Sequence, residues 1–219
     1  VACGGLGVAE PDAIEVLRGT GTALYGSNSV HGTINVLQDA PAGLPGWKLG
    51  LGAGPSSYTR ASLVSTYNGE STGASLKALY THDGGWRDES GFDEGKLNAT
   101  VTTGADGHVP ARFDLAATRL DQETAGFITG KNAYRDAELS ESNPNPEAFR
   151  DAHAVRLTGL LQPQTSLPGA LELRPYLRTS RMEFLQHFLL GQPLERNGQE
   201  SAGLMTSVNW NLGERVALS

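Results

Sequence analysis

From residue 47 onward, apolar and polar residues alternate with period two along most of the chain. This spacing sends successive side chains to opposite faces of a strand. Residues 72–81 place Ala74, Leu76, Ala78 and Tyr80 on one face, with Ser75, Lys77, Leu79 and Thr81 on the other. Residues 96–103 set Leu97, Ala99 and Val101 against Lys96, Asn98, Thr100 and Thr102. Residues 171–178 set Leu171, Leu173 and Leu177 against Glu172, Arg174, Tyr176 and Arg178. Pro175 interrupts that last run and weakens it, because proline cannot donate to a ladder. Similar patterns predict strands near 47–54, 58–67, 110–120, 154–162, 203–211 and 214–219, about nine in all.

The predicted connections alternate in length. Residues 68–70, 105–108, 163–169 and 211–213 are short turns, whereas 82–95, 121–153 and 182–202 read as long loops. In an up-and-down sheet this puts the long loops at one end, as in outer-membrane barrels. The tight hairpin around Gly54-Pro55-Ser56 is the exception. The apolar faces are rich in Ala, Leu and Val, with Tyr67, Tyr80 and Trp210 toward strand ends, while the opposite faces are charged or hydroxylated. A lipid-facing exterior with aromatic girdles around a polar interior has this pattern. Strand by strand, a soluble sheet with one solvated face has it as well.

Residues 1–40 differ. Residues 13–18 and 33–37 read as two short strands, separated by the Gly19-Thr20-Gly21 turn, a possible helical turn at residues 23–26 and a second turn at residues 28–32. Pro41-Ala42-Gly43-Leu44-Pro45-Gly46 then breaks any continuing element.

Composition narrows the function classes. The 219 residues carry a net charge of −7 and no Lys/Arg stripe, which argues against a nucleic-acid partner. With 38% hydrophobic residues, no stretch approaches the roughly 18 apolar residues of a membrane helix, but a barrel strand needs only about 9–11. The single cysteine, Cys3, permits no intrachain disulfide and no cysteine-rich metal site. Neither a starting Met nor a signal peptide is recognisable.

No catalytic or metal-binding constellation stands out, so the expectation is a non-enzyme without metal or cofactor. Gly19-Thr20-Gly21 is not a dinucleotide fingerprint, since Leu24 replaces the third glycine and no parallel βαβ unit follows. Gly130-Lys131-Asn132 lacks the Ser/Thr and spacing of a P-loop. His31, His82, His108, His153 and His187 are scattered. His187 lies in the apolar run Phe184-Leu185-Gln186-His187-Phe188-Leu189-Leu190, which reads first as packing among loops and second as contact with a hydrophobic ligand. Trp86-Arg87-Asp88-Glu89 is a candidate for ligand contact or for pairing between loops.

Residues 14–37, Ile14-Glu15-Val16-Leu17-Arg18-Gly19 through Thr33-Ile34-Asn35-Val36-Leu37, resemble the end of the plug domain of TonB-dependent outer-membrane receptors. That family typically reads I-E-V-L-R-G-P-x-S-A-L-Y-G-x-x-A-x-G-G-V-I-N-I here. Thr20, Thr22, Ser29 and His31 depart from the pattern. The resemblance assigns structural or gating roles to Arg18, Gly19, Gly21, Tyr25, Gly26, Gly32 and Asn35. Glycines there permit tight turns and positive φ, and Arg18, once enclosed, would be buried and paired with barrel carboxylates.

The order of plug end, linker and first strands matches the family. The resemblance therefore implies a plug portion at 1–40, a linker at 41–46 and the N-terminal portion of a transmembrane β-barrel at 47–219. It also implies a fragment, because such receptors close with roughly 22 strands. The expected activity is energised uptake of a scarce nutrient across the bacterial outer membrane, a ferric siderophore first, with cobalamin, haem or a glycan as alternatives. The expected partners are outer-membrane lipid and the TonB complex, engaged through an N-terminal plug segment absent from this chain. A passive or adhesive outer-membrane barrel and a soluble extracellular β-sheet binding protein are the rival classes.

Overall fold

The computed structural model describes residues 13–20, 31–37, 45–104, 110–165, 169–211 and 217–218. Eleven strands occur among them, in two sheets. β1 (Ala13–Arg18) and β2 (Gly32–Leu37) form an antiparallel pair. β3 (Gly46–Ala53), β4 (Thr59–Asn68), β5 (Thr72–Asp83), β6 (Phe92–Thr103), β7 (Ala111–Glu123), β8 (Phe149–Leu161), β9 (Ala170–Leu185), β10 (Leu194–Asn211) and β11 (Ala217–Leu218) make a nine-stranded sheet. Each of these strands pairs antiparallel with its neighbours in sequence, so the topology is strictly up-and-down. Among the described residues no helix is long and apolar enough to cross a membrane, which says nothing about strands.

The two faces of the large sheet differ as the alternation predicts. The register aligns Leu49 with Leu63, Leu63 with Ala78, Ala78 with Leu97, Leu97 with Ala117 and Ala117 with Val155. One apolar band thus runs across the strands; within it Leu49 is 56% exposed, and Leu51 on the same face of β3 is 78% exposed. The opposite face holds Thr81, Asn98 and Thr100, of which Asn98 and Thr100 are only 3% and 1% exposed. A curled sheet crowds side chains on its concave side and spreads them on its convex side, so the polar face is the inner one. Carboxylates on this inner face have partners: Asp114 accepts from Arg112 and from Thr100 Oγ1, Glu94 pairs with Lys96 at 2.8 Å, and Glu172 pairs with Arg174 at 2.8 Å.

Several strands run further than the alternation suggests. The long loops predicted at 82–95, 121–153 and 182–202 contract to 84–91, 124–148 and 186–193. Many of the added strand residues are charged or polar on the convex face as well: Asp93 accepts from Tyr80 and lies 3.0 Å from His82, Asp121 pairs with Arg119, and Arg196 pairs with Glu183. Alternation fades once both faces meet water, yet the backbone ladder continues. β9 and β10 reach 16 and 18 residues, beyond the roughly 9–11 that a membrane strand needs.

Pro175 does not break β9. Its pairing with β10 is continuous, Leu204 lying opposite Pro175, while the ladder to β8 skips from Thr158↔Tyr176 to Leu161↔Leu173. Across that gap lies Gly159, where an added Cβ would stand 3.0 Å from the Pro175 ring and 3.4 Å from Phe113. The proline ring occupies the space that a side chain on β8 would take. Gly159→Ala is therefore expected to lower folded stability by about 1–3 kcal/mol through overpacking, read as a reduced urea midpoint in detergent.

Candidate functional site

The described part of the plug-like signature is a bare hairpin. Every residue of β1 is exposed, and Ile14, Val16 and Ile34 stand 60–70% open. Gly19 takes a φ of +98°, which favours glycine, and its N–H donates to His31 O at 3.3 Å. Gly32 lies so close to β1 that a Cβ would stand 2.8 Å from Leu17 O. Asn35 lies opposite Glu15 in the register. Arg18 ends β1 and is exposed rather than buried. Its expected burial requires an enclosing wall, and the described sheet does not close, since β3 and β11 stand at its two edges. Gly21, Tyr25 and Gly26, the predicted helical turn and Cys3 lie outside the described residues.

The other candidates gather at one end of the sheet, where residues 54–58, 84–91, 124–148 and 186–193 connect the strands. These connections are stitched side by side. Gly84 N–H donates to Ser56 O at 2.7 Å, tying the second loop to the first. Arg87 spans from the second loop to the third: its guanidinium donates to Ser142 O at 2.6 and 3.1 Å and to Gly126 O at 2.8 Å. Asp88 N–H to Glu141 O (2.8 Å) and Asn143 Nδ2 to Glu89 O (2.9 Å) complete that seam. The planar fork of an arginine suits two carbonyls at once. Arg87 thus serves the contact between loops, while its neighbour Trp86 stands 66% exposed beside it.

The third loop has its own scaffold. A 3₁₀ turn (Ala133–Arg135) leads into the short helix α1 (Ala137–Glu141), whose first turn is capped by Asp136 accepting from Leu139 N–H at 3.0 Å. The pattern of residues 121–153 predicts only an irregular loop, because five residues of helix carry too little periodicity to register. The third and fourth loops meet where Gln192 Nε2 donates to Glu147 Oε1 at 2.7 Å. Glu147's own backbone N–H and then Gln192 hold its carboxyl below the usual range.

His187 sits in the fourth loop, its ring edge-on to Phe188 with centroids 5.6 Å apart, and Phe184 adds a tilted contact with Phe188 at 6.0 Å. His187 Nδ1 is buried without a hydrogen-bond partner. Leu190, at the loop tip, is wholly exposed. His187 therefore packs on Phe188 of its own loop. Among the described residues no group of His, Cys, Asp and Glu is placed to hold a metal ion.

The fold is that of TonB-dependent receptor barrels, and the local sequence agrees. The siderophore receptor PiuA from Acinetobacter baumannii superposes with a TM-score of 0.68 over 91% of this chain and 32% of that one, at 15% identity. The ferric-catecholate import receptor Fiu from Escherichia coli K12 matches in its closed form (TM-score 0.64, 11% identity, 94% of this chain and 34% of that one). Its open form matches at 0.62, with 13% identity over 92% of this chain and 37% of that one. In sequence, 82 residues are 35% identical to the vitamin B12 transporter BtuB of Vibrio vulnificus (strain CMCP6), covering 37% of this chain and 13% of BtuB. No protein-family model matches the chain. The chain spans about a third of the length of the solved receptors it resembles.

Two outcomes follow from the loop seams. Arg87→Ala is expected to speed hydrogen exchange in residues 84–91 and 124–148 together, since a charged hydrogen bond of this kind contributes about 1.5–3 kcal/mol; Arg87→Lys, lacking the fork, restores protection only in part. The Glu147 carboxyl is depressed in the folded loop, so its contribution is present above its unfolded pKa and is lost as pH falls through the folded value. Spin labels on loops 124–148 and 186–193 should separate in that acid range, and Gln192→Ala should shrink the pH-dependent change without abolishing it.

Proposed function

We propose that this chain is part of a TonB-dependent receptor of the bacterial outer membrane. Residues 1–40 are the end of its plug, 41–46 the linker and 47–219 the first strands of its lipid-embedded barrel. The observation that carries this reading is the up-and-down sheet with an apolar convex face and a polar concave one, following directly on the plug-like signature at 14–37. A passive pore has no use for such a signature.

The cargo is a ferric siderophore in this reading, in line with the likeness to the siderophore receptor PiuA and the ferric-catecholate import receptor Fiu, with cobalamin the alternative that the vitamin B12 transporter BtuB suggests. Cargo binds at the clustered loops and the plug apex, and the energised TonB complex, pulling on the plug, opens the path inward. The chain performs no chemistry on the cargo. Trp86 and the apolar tip at Phe188–Leu190 are the exposed large side chains that the loops offer to it.

Deleting the complete gene should abolish growth on its ferric siderophore as sole iron source, and inactivating TonB should have the same effect. Growth that survives the loss of TonB would mark the protein as a passive barrel, and purification as a soluble monomer without detergent would remove it from the membrane altogether.

A further inference from the structure

The convex face changes character in two steps toward the long loops. Its apolar band, carried here by Leu97, Ala117 and Val155, ends one row below a set of basic side chains. The register places Arg119 on β7 directly opposite His153 on β8, and His153 directly opposite Arg181 on β9. Glycines flank this row, Gly95 opposite Arg119 and Gly198 opposite Arg181. An added Cβ at Gly95 would meet nothing within 4 Å, so the space beside Arg119 is open. One row further out, Asp93, Asp121, Asp151 and Glu183 again lie directly opposite one another on β6 to β9.

The two arginines are only partly engaged. Asp121 accepts from Nε and Nη2 of Arg119 at 2.9 and 3.3 Å, and Glu200 accepts from Nη2 of Arg181 at 3.4 Å. A guanidinium has further N–H donors beyond these, and the two side chains are 74% and 66% exposed. Neighbouring strands lie about 4.8 Å apart, so Arg119 and Arg181 start roughly 10 Å apart across His153, within reach of one tetrahedral anion.

Position decides which anion. Long cationic side chains at the edge of a hydrocarbon layer extend to the level of the lipid headgroups, and anionic lipids attract them there. The carboxylate row stands between these cations and the water, and it repels an anion that approaches from solution. A lipid phosphate comes from the opposite side, with its acyl chains laid along Ala117 and Val155.

We propose that Arg119, His153 and Arg181 form a docking site on the convex face for the phosphate of an anionic membrane lipid. The inference rests on the reading of this sheet as a barrel wall, and it adds a lipid of defined chemistry at a fixed place on that wall. The guanidiniums hold the phosphate oxygens from two sides of His153, with the planar fork that suits this group. The outer carboxylates keep free anions away.

The test uses the complete receptor in detergent micelles. Native mass spectrometry counts the lipid retained during titration with dioleoyl phosphatidic acid or with dioleoyl phosphatidylcholine. Heat-dependent mobility in SDS gels verifies that each variant's barrel is intact. Phosphatidic acid is expected to bind the more tightly, and Arg119→Gln with Arg181→Gln to weaken it roughly tenfold, the scale of two cations at a lipid surface, with phosphatidylcholine unchanged. Excess inorganic phosphate should not displace the lipid from the native receptor. It should do so once Asp121→Asn, Asp151→Asn and Glu183→Gln remove the screen. If the arginine variant fails to form a barrel, Gly95→Glu, which sets a carboxylate in the open space beside Arg119, should weaken phosphatidic acid alone. Equal retention of the two lipids, or an arginine variant that holds phosphatidic acid as the native receptor does, overturns the proposal. Displacement by inorganic phosphate from the native receptor also overturns it and marks a site for free anions. The titration needs neither cargo nor TonB, so a barrel that fails the growth assay still reports on this site. A protein that purifies without detergent loses the membrane reading before any lipid is added.

Discussion

A strand in hydrocarbon has no water to satisfy its backbone, so each N–H and C=O must find its partner on the next strand. In the proposed barrel that requirement accounts for most of the wall. The chain meets it by pairing each strand with its neighbour in sequence, from β3 to β11. Such local pairing fixes the register, and the register sorts the side chains. Leu49, Leu63, Ala78 and Leu97 fall in line on one face, while Lys77, Asn98 and Thr100 fall on the other. A slip of one residue between any two strands would exchange the faces of everything beyond it. Even Pro175, which removes one donor from the ladder, is tolerated because its loss is confined to the β8 side and Gly159 makes room there.

The middle of the sheet was legible in the sequence because its two faces meet different surroundings. Leu97, Ala99 and Val101 alternate with Asn98, Thr100 and Thr102, and nothing but a strand puts them on separate sides. The far ends of β8, β9 and β10 were not legible for the converse reason. Around Arg181, Glu183, Arg196 and Glu200 the convex face is as polar as the concave one, and the pairing there is visible only in three dimensions. The loops were legible as loops, and Arg87 as a residue of interest. Its carbonyl partners at Gly126 and Ser142 were not, because a backbone oxygen carries no mark in a sequence. His187 looked like part of a wider apolar cluster, yet the first two residues of that run, Phe184 and Leu185, belong to β9. The row of Arg119, His153 and Arg181 was equally hidden, since it depends on registers between residues 34 and 28 positions apart in the chain.

The hydrogen-bonded loops and the concave wall divide the labour differently from the hairpin ahead of them. The wall is held by its ladder and needs little else. The loops are held by a few side chain to backbone bonds, each of which can open without disturbing the ladder. The β1–β2 hairpin, with all of β1 exposed, owes least of its order to neighbours within the described chain. In the proposed receptor, where a path through the centre would open, that ranking runs from the part that would persist to the part that would yield.

The strands lengthen steadily, from 8 residues in β3 to 18 in β10, and the loop ends stay in register from Asp83↔Phe92 to Leu185↔Leu194. The growth is therefore at the short-turn ends. Strands of closed barrels lean by about 40°, and at that tilt each step to the next strand climbs roughly 3 Å, so lengthening below would keep the base level. Seven such steps from β3 to β10 lift the top edge by roughly 20 Å. In the proposed barrel this stretch of the rim would thus be a spiral ramp, lowest at the tight β3–β4 hairpin and highest at the Leu190 tip. A bulky visitor meets an open doorstep on one side and an overhanging parapet on the other.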